Sequence, residues 1–129
     1  MKKVVICASA SLYEKAENWR NKLKDIGYDV IRSIERINND KLSYKKTHIK
    51  HYKKIKETDV LFILNLDKNG VKNYIGPSVF AEIAFAIGLN VVFEKNIQIY
   101  CLKPLPKNLS YSDELLLWQK LKWIKIWNR

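Results

Sequence analysis

The chain has 129 residues, with 24 Lys and Arg against 13 Asp and Glu, for a formal charge of +11. That length suits one domain over 1–129 with a single core; no Pro-, Gly- or Ser-rich linker divides it, and no apolar run is long enough to span a membrane. The charge favours anionic partners, either nucleic acid or small phosphorylated molecules, without choosing between them, and a compositionally biased genome would produce the same excess of Lys.

Val4 to Ala8 is a short apolar run rich in Val and Ile, the composition of a buried strand. Lys2-Lys3 before it and Ala8-Ser9-Ala10 at its end imitate a secretion signal, but the apolar run is too short for one. From Leu12 to Ile26 the residues Leu12, Ala16, Trp19, Leu23 and Ile26 recur at helical spacing, which predicts an amphipathic helix stopped by Gly27. Tyr28 to Ile34 reads as a second strand with Val30 and Ile34 facing one way, and Ile37 to Lys46, without a clear period, as loop. His48 to Glu57 is polar and basic, yet Ile55 with Tyr52 or His51, and His48 before them, forms one stripe and predicts a second, more exposed helix.

Val60 to Leu64 suits a strand buried on both faces, and a polar loop rich in Asn, Asp and Gly follows it. Ser78 to Leu89 predicts a buried helix that opens at Gly76-Pro77 and closes near Gly88. Ile97 to Leu102 is a fourth strand, ended by Lys103-Pro104-Leu105-Pro106. Ser112-Asp113-Glu114 caps a short helix through Lys120, and Leu121 to Trp127 alternates as a last strand. Strands that alternate with helices imply an α/β fold whose sheet is mostly parallel, five-stranded and covered on both faces.

Cys7 and Cys101 lie far apart in apolar runs, a placement that suits buried, reduced thiols in a cytoplasmic protein and offers neither a metal site nor a redox pair. In an open doubly wound sheet, ligands bind beyond the carboxyl ends of the strands. The loops there are Ala8 to Leu12, Asn65 to Pro77, and Lys103 onward. The first feeds Ser9, Ser11 and backbone amides into a helix N-terminus, which suits a phosphate or a sugar hydroxyl; a plain turn capped by Ser11 is the simpler alternative. Neither G-x-G-x-x-G nor G-x-x-x-x-G-K-[ST] is present, so neither a dinucleotide site nor an NTPase is supported, and no cofactor is expected.

Glu82 is the one charge inside the buried helix, within reach of that crevice. A carboxylate there is costly unless paired, protonated or used, and one held in a pocket can attack an anomeric carbon to form a glycosyl-enzyme intermediate. A Glu paired with a Lys or a backbone amide at the surface is the alternative. His48 and His51 share a helix face, a weak metal signal without a third ligand, so no metal is expected.

Val5-Ile6-Cys7-Ala8-Ser9-Ala10-Ser11, Asp59-Val60-Leu61, Asn73-Tyr74-Ile75-Gly76-Pro77, Phe80-Ala81-Glu82-Ile83-Ala84-Phe85-Ala86 and the stretch from Ile97 to Pro104 together carry a resemblance. The chain resembles the nucleoside 2-deoxyribosyltransferase superfamily, which includes the 2'-deoxynucleoside 5'-monophosphate N-glycosidases. The resemblance implies a flavodoxin-like three-layer fold and a Glu nucleophile at Glu82 that attacks C1' of a deoxyribosyl group and expels the base. Water or a second base then relieves the nucleophile. It further implies that Ser9, Ala10 and Ser11 bind the 5'-phosphate or sugar, that Asn65, Asp67, Asn73, Gly76 and Ser78 line the substrate site, and that Tyr13 stands in for a family Tyr near the first strand. The Asp that relatives carry before the third strand has His51 as its nearest match, a candidate for protonating the leaving base, although a solvated histidine beside lysines is the simpler reading. Homodimers with shared sites are also implied; Trp118, Trp123 and Trp127 serve either the core or such an interface, and Asn128 would reach a neighbouring site.

Two rivals stand beside a deoxyribosyltransferase or nucleotide N-glycosidase. One is a non-catalytic nucleotide-binding module of the same fold. The other is a nucleic-acid-binding face over Lys41 to Lys56, where Tyr44 and Tyr52 lie among lysines; no reader motif is present, and a solvated basic helix explains the segment more simply.

Overall fold

The parity of the first strand sets the layout of the molecule. In β1 (Lys3–Cys7), Val4 and Ile6 face one side of the sheet and Val5 and Cys7 the other, and all four are buried. The computed structural model describes residues 1–31 and 41–128. After β1 a short 3-10 turn (Ala10–Leu12) leads into α1 (Tyr13–Ile26), then β2 (Asp29–Ile31), α2 (Lys41–Glu57), β3 (Val60–Ile63), α3 (Pro77–Phe93), β4 (Gln98–Cys101), α4 (Ser112–Lys120) and β5 (Lys125–Ile126). The strands form one sheet in the order β2-β1-β3-β4-β5, and every pairing is parallel. This is the flavodoxin-like order, with its switch point between β1 and β3.

Each face has its own core. On one, Val5, Cys7, Leu61, Ile63, Ile99 and Cys101 pack against Ile55 of α2, Ile83 and Ala86 of α3, and Leu115 and Trp118 of α4. On the other, Val4, Ile6, Val30 and Phe62 pack against Ala16 and Leu23 of α1. Among the described helices α1 alone adds buried residues there, and aromatic rings cover the remainder. Trp127 meets Phe62 and Tyr100 edge-on, each at 5.4 Å, and Tyr28 at 6.3 Å. Trp118 is buried and stacks on Phe80 at 4.9 Å, so two of the three C-terminal tryptophans serve packing, while Trp123 is exposed.

Gly27 ends α1 in the left-handed conformation (φ 113°), its N–H returned to Leu23 and Lys24 carbonyls, as the sequence predicts. Four expectations are corrected. Helix α2 spans Lys41–Glu57, so residues 41–46 of the expected 37–46 loop are helical; their period was hidden because the stripe that faces the cleft is Tyr44, His48 and His51, polar and aromatic rather than aliphatic. Helix α3 runs through Gly88 to Phe93, since Asn90 anchors its last turn by exchanging hydrogen bonds with the backbone of Ile97, 2.8 and 2.9 Å. The final strand shrinks to Lys125–Ile126 because Lys122, at φ 62°, turns the chain just before it. Ser112 does not cap α4; it lies inside the first turn, buried, and its hydroxyl accepts the Leu109 N–H at 3.0 Å. The expected second strand is seen as Asp29–Ile31, and its remaining part with Ile34, like the 37–40 part of the loop, lies outside the described residues. Among the described residues no helix is long and apolar enough to cross a membrane.

Candidate active site

Because Cys7 ends β1 facing the helices that carry the larger core, it sits beneath the contact of α2 with α3. Two polar side chains meet above it. His51 Nε2 lies 2.9 Å from Glu82 Oε2 and 3.3 Å from Cys7 Sγ, and the three residues are 8 %, 6 % and 0 % exposed. A buried carboxylate needs a donor, and the imidazole supplies one when its hydrogen is on Nε2. His51 Nδ1 is buried and has no hydrogen-bond partner, which favours that tautomer, since a bare lone pair costs less than a stranded N–H. Burial pushes the Cys7 thiol well above its ordinary range, and the charge of Glu82 and a hydrogen bond to it push the same way. Cys7 therefore stays protonated and does not compete as a nucleophile. The nearby Tyr52 phenol is also pushed up, first by burial and then by Glu82.

Glu82 and His51 open onto a cleft of about 250 Å³ at the carboxyl edge of the sheet. Lys68, on a small hairpin, also lines it. Asn69 (φ 54°) and Gly70 (φ 73°) both adopt the left-handed conformation, and Lys68 and Val71 exchange backbone hydrogen bonds of 3.0 and 2.9 Å, the arrangement of a two-residue type I′ turn. The base of the hairpin is fastened twice: the Asn73 N–H donates to Asp67 Oδ1 at 2.8 Å, and the Tyr74 N–H to the Leu66 carbonyl at 3.1 Å. So held, Lys68 reaches across to donate from Nζ to Ser9 Oγ. The Tyr74 ring stands beside the ammonium, 5.7 Å from its centroid. Gly76 permits this, because a Cβ there would meet Tyr74 ring and hydroxyl atoms at 3.1–3.2 Å.

The third wall comes from α2. Tyr44 and His48 stack at 3.8 Å with 25° between their planes, and His48 Nδ1–H donates to the Tyr44 carbonyl at 2.9 Å. That anchor fixes which nitrogen faces outward, leaving Nε2 for another partner. The cleft is thus lined by an ammonium and a hydroxyl, a carboxylate, and the aromatic rings of Tyr44, His48 and Tyr74.

No protein-family model matches the sequence, and no curated protein matches it. A solved structure does: Clostridium botulinum CMP N-glycosidase, BcmB, aligns with a TM-score of 0.56 at 19 % identity, over 99 % of this chain and 90 % of that one. The chain has the fold of BcmB. Its strand order is that of the flavodoxin-like architecture that the resemblance implied.

Within that fold the expected site residues divide into two groups. Ser9, Ala10, Gly76, Ser78, His51 and Glu82 all line the cleft. Tyr13, Ser11, Asn65, Asp67 and Asn73 are not among its lining residues. Tyr13 opens α1, and Ser11 Oγ lies 3.4 Å from Ser9 Oγ. Asn65 is wholly buried; its side chain accepts from the Lys103 N–H and donates to the Lys103 and Pro104 carbonyls at 2.9–3.3 Å, tying the end of β3 to the exit of β4. Asp67 and Asn73 fasten the hairpin. His51 is buried rather than solvated, and its Nε2 engages Glu82.

Lys68, Tyr74, Tyr44 and His48 were not in the expected site. The signal for Lys68 was present: Asn69-Gly70 is a strong two-residue hairpin signal, and it places the preceding lysine at the hairpin's end.

Proposed function

We propose that the chain cleaves the N-glycosidic bond of a nucleoside 5'-monophosphate through a covalent intermediate on Glu82. One observation carries the reading: a buried carboxylate, the only one among the described residues lining the cleft, is held by an imidazole in the same cleft as a Lys68–Ser9 pair. An inverting hydrolase would need a second carboxylate to activate water from the far side of the sugar, whereas a retaining one can use a single nucleophile if another group serves the leaving base. The lone carboxylate supports the retaining course.

In the proposed reaction the Lys68 ammonium and the Ser9 hydroxyl bind the phosphate, and Tyr44, His48 and Tyr74 flank the base. A Glu82 oxygen bonds to C1' as the C1'–N bond breaks, and the electron pair of that bond leaves with the base. His48, in its imidazolium form with Nδ1–H on the Tyr44 carbonyl, gives the Nε2 proton to the base. Water then attacks C1', its proton returns to His48, and the Glu82 carboxylate is restored. A second base in place of water would make the same reaction a transfer. His51 serves as a positioning residue: its Nε2–H holds one carboxylate oxygen. The exposed apolar end of α3, Val91, Val92 and Phe93, supports the homodimer that the resemblance implies.

The test is to incubate the protein with a panel of nucleosides and their 5'-monophosphates and to separate free base and sugar phosphate by chromatography. Free base from a monophosphate, faster than from its nucleoside, is the expected result. Tight nucleotide binding with no base released from any member would overturn it in favour of a binding module.

A further inference from the structure

The cluster above β1 contains a donor set that catalysis alone does not require. Cys7 Sγ, His51 Nε2 and a Glu82 carboxylate oxygen all lie within 4.8 Å of one another, all three residues are buried, and they come from three separate elements. A thiolate, an imidazole and a carboxylate are the ligand types that bind Zn²⁺ in three-ligand sites whose fourth position stays open. The distances fit. Tetrahedral bonding at ordinary Zn–N, Zn–O and Zn–S lengths requires N···O and S···N separations of about 3.3 and about 3.6 Å, and the structure has 2.9 and 3.3 Å, so each needs an outward movement of a few tenths of an ångström.

We propose that Cys7, His51 and Glu82 bind a borderline-soft divalent cation, Zn²⁺ or Co²⁺, and that the bound cation switches the cleft off. Binding releases the Cys7 thiol proton to solvent, shifts the His51 hydrogen from Nε2 to Nδ1, and occupies a Glu82 oxygen. His51 and Glu82 both line the cleft, which leaves the fourth position to water. His51 Nδ1 has no acceptor to receive its hydrogen in this state, and metal-binding histidines that lack such support hold their metal more weakly. The cation is therefore exchangeable and removed by chelators. The inhibition rests on Glu82 acting as the nucleophile; the binding does not.

The site is tested by titrating the full chain with Co²⁺ under reducing conditions and without substrate. The expected result is a thiolate-to-cobalt charge-transfer band that saturates at one equivalent and disappears when Zn²⁺ is added. Cys7→Ser and, as a second variant, Cys7→Ala abolish the band with circular dichroism preserved, and Cys101→Ser retains it. Absence of the band in the wild-type chain, or its persistence in both Cys7 variants, overturns the site. Where base release is measurable, Zn²⁺ suppresses it and a chelator restores it; unchanged release at saturating Zn²⁺ overturns the switch. Failure of the glycosidase reading shows separately, as no base release without metal.

Discussion

Replacing Glu82 with Gln and His51 with Ala, singly and together, tests the buried pair in both energy and chemistry. Glu82→Gln keeps the size of the side chain and still offers an oxygen to the His51 Nε2–H. It exchanges a charge-assisted hydrogen bond of about 1.5–3 kcal/mol for a neutral one of about 0.5–1.5 kcal/mol. It also removes the cost of holding a charge in a site only 6 % exposed, so the two changes nearly cancel. Stability should move by no more than about 1 kcal/mol, or within about 5 °C in Tm. His51→Ala does the opposite, leaving the carboxylate without its 2.9 Å donor, and should cost about 3 kcal/mol. Adding Glu82→Gln to His51→Ala removes the stranded charge, so the double variant should be more stable than His51→Ala by about 1–2 kcal/mol. Urea unfolding of the four proteins measures this cycle. Base release should fall at least about 10³-fold in Glu82→Gln, about 4 kcal/mol of barrier. Turnover within tenfold of wild type in that variant would refute the nucleophile, and a double variant less stable than His51→Ala would refute the energetic account of the pair.

Two further outcomes follow from groups elsewhere in the molecule. Lys68→Ala should raise KM for a 5'-monophosphate about 10- to 100-fold, the worth of one charge-assisted contact, while the unphosphorylated nucleoside is little affected; steady-state kinetics on the two substrates make the comparison. Burial pushes the Cys101 thiol from 9.0 up to about 12, so between those values the unfolded chain has released a proton that the folded chain keeps. Its contribution is thus fully present below pH 9 and is lost as pH rises: raising the pH from about 8 to about 10 should cost the wild type on the order of 1 kcal/mol more than Cys101→Ala in urea unfolding, and equal losses would contradict it.

The order of strands and helices was legible because buried parallel strands are written as aliphatic runs, and Val4–Cys7, Val60–Ile63 and Ile97–Cys101 left no doubt about their type. Glu82 was legible for the opposite reason, as the one charge in an apolar helix. The start of α2 was not, because Tyr44, His48 and His51 turn toward a cleft and carry no aliphatic period. Proximity was also hidden: Cys7 and His51 stand 44 residues apart, and only the parity of β1 and the packing of α2 on α3 bring them within 3.3 Å. Asn65, Asp67 and Asn73 had the chemistry of ligand-binding residues, but their hydrogen bonds go to the chain itself, a distinction that sequence alone does not draw.

The hairpin that presents Lys68 has a consequence for how such a protein changes. Its two fastenings, Leu66 with Tyr74 and Asp67 with Asn73, close it on itself, while Glu82 and His51 are set by helices packed on the sheet. The hairpin and the Glu82–His51 pair are therefore supported by separate parts of the fold. Under the proposed function, a lengthened, shortened or recharged hairpin would alter which end group the cleft accepts and leave Glu82 where it was, so one substrate could be traded for another in a few residues without moving the nucleophile.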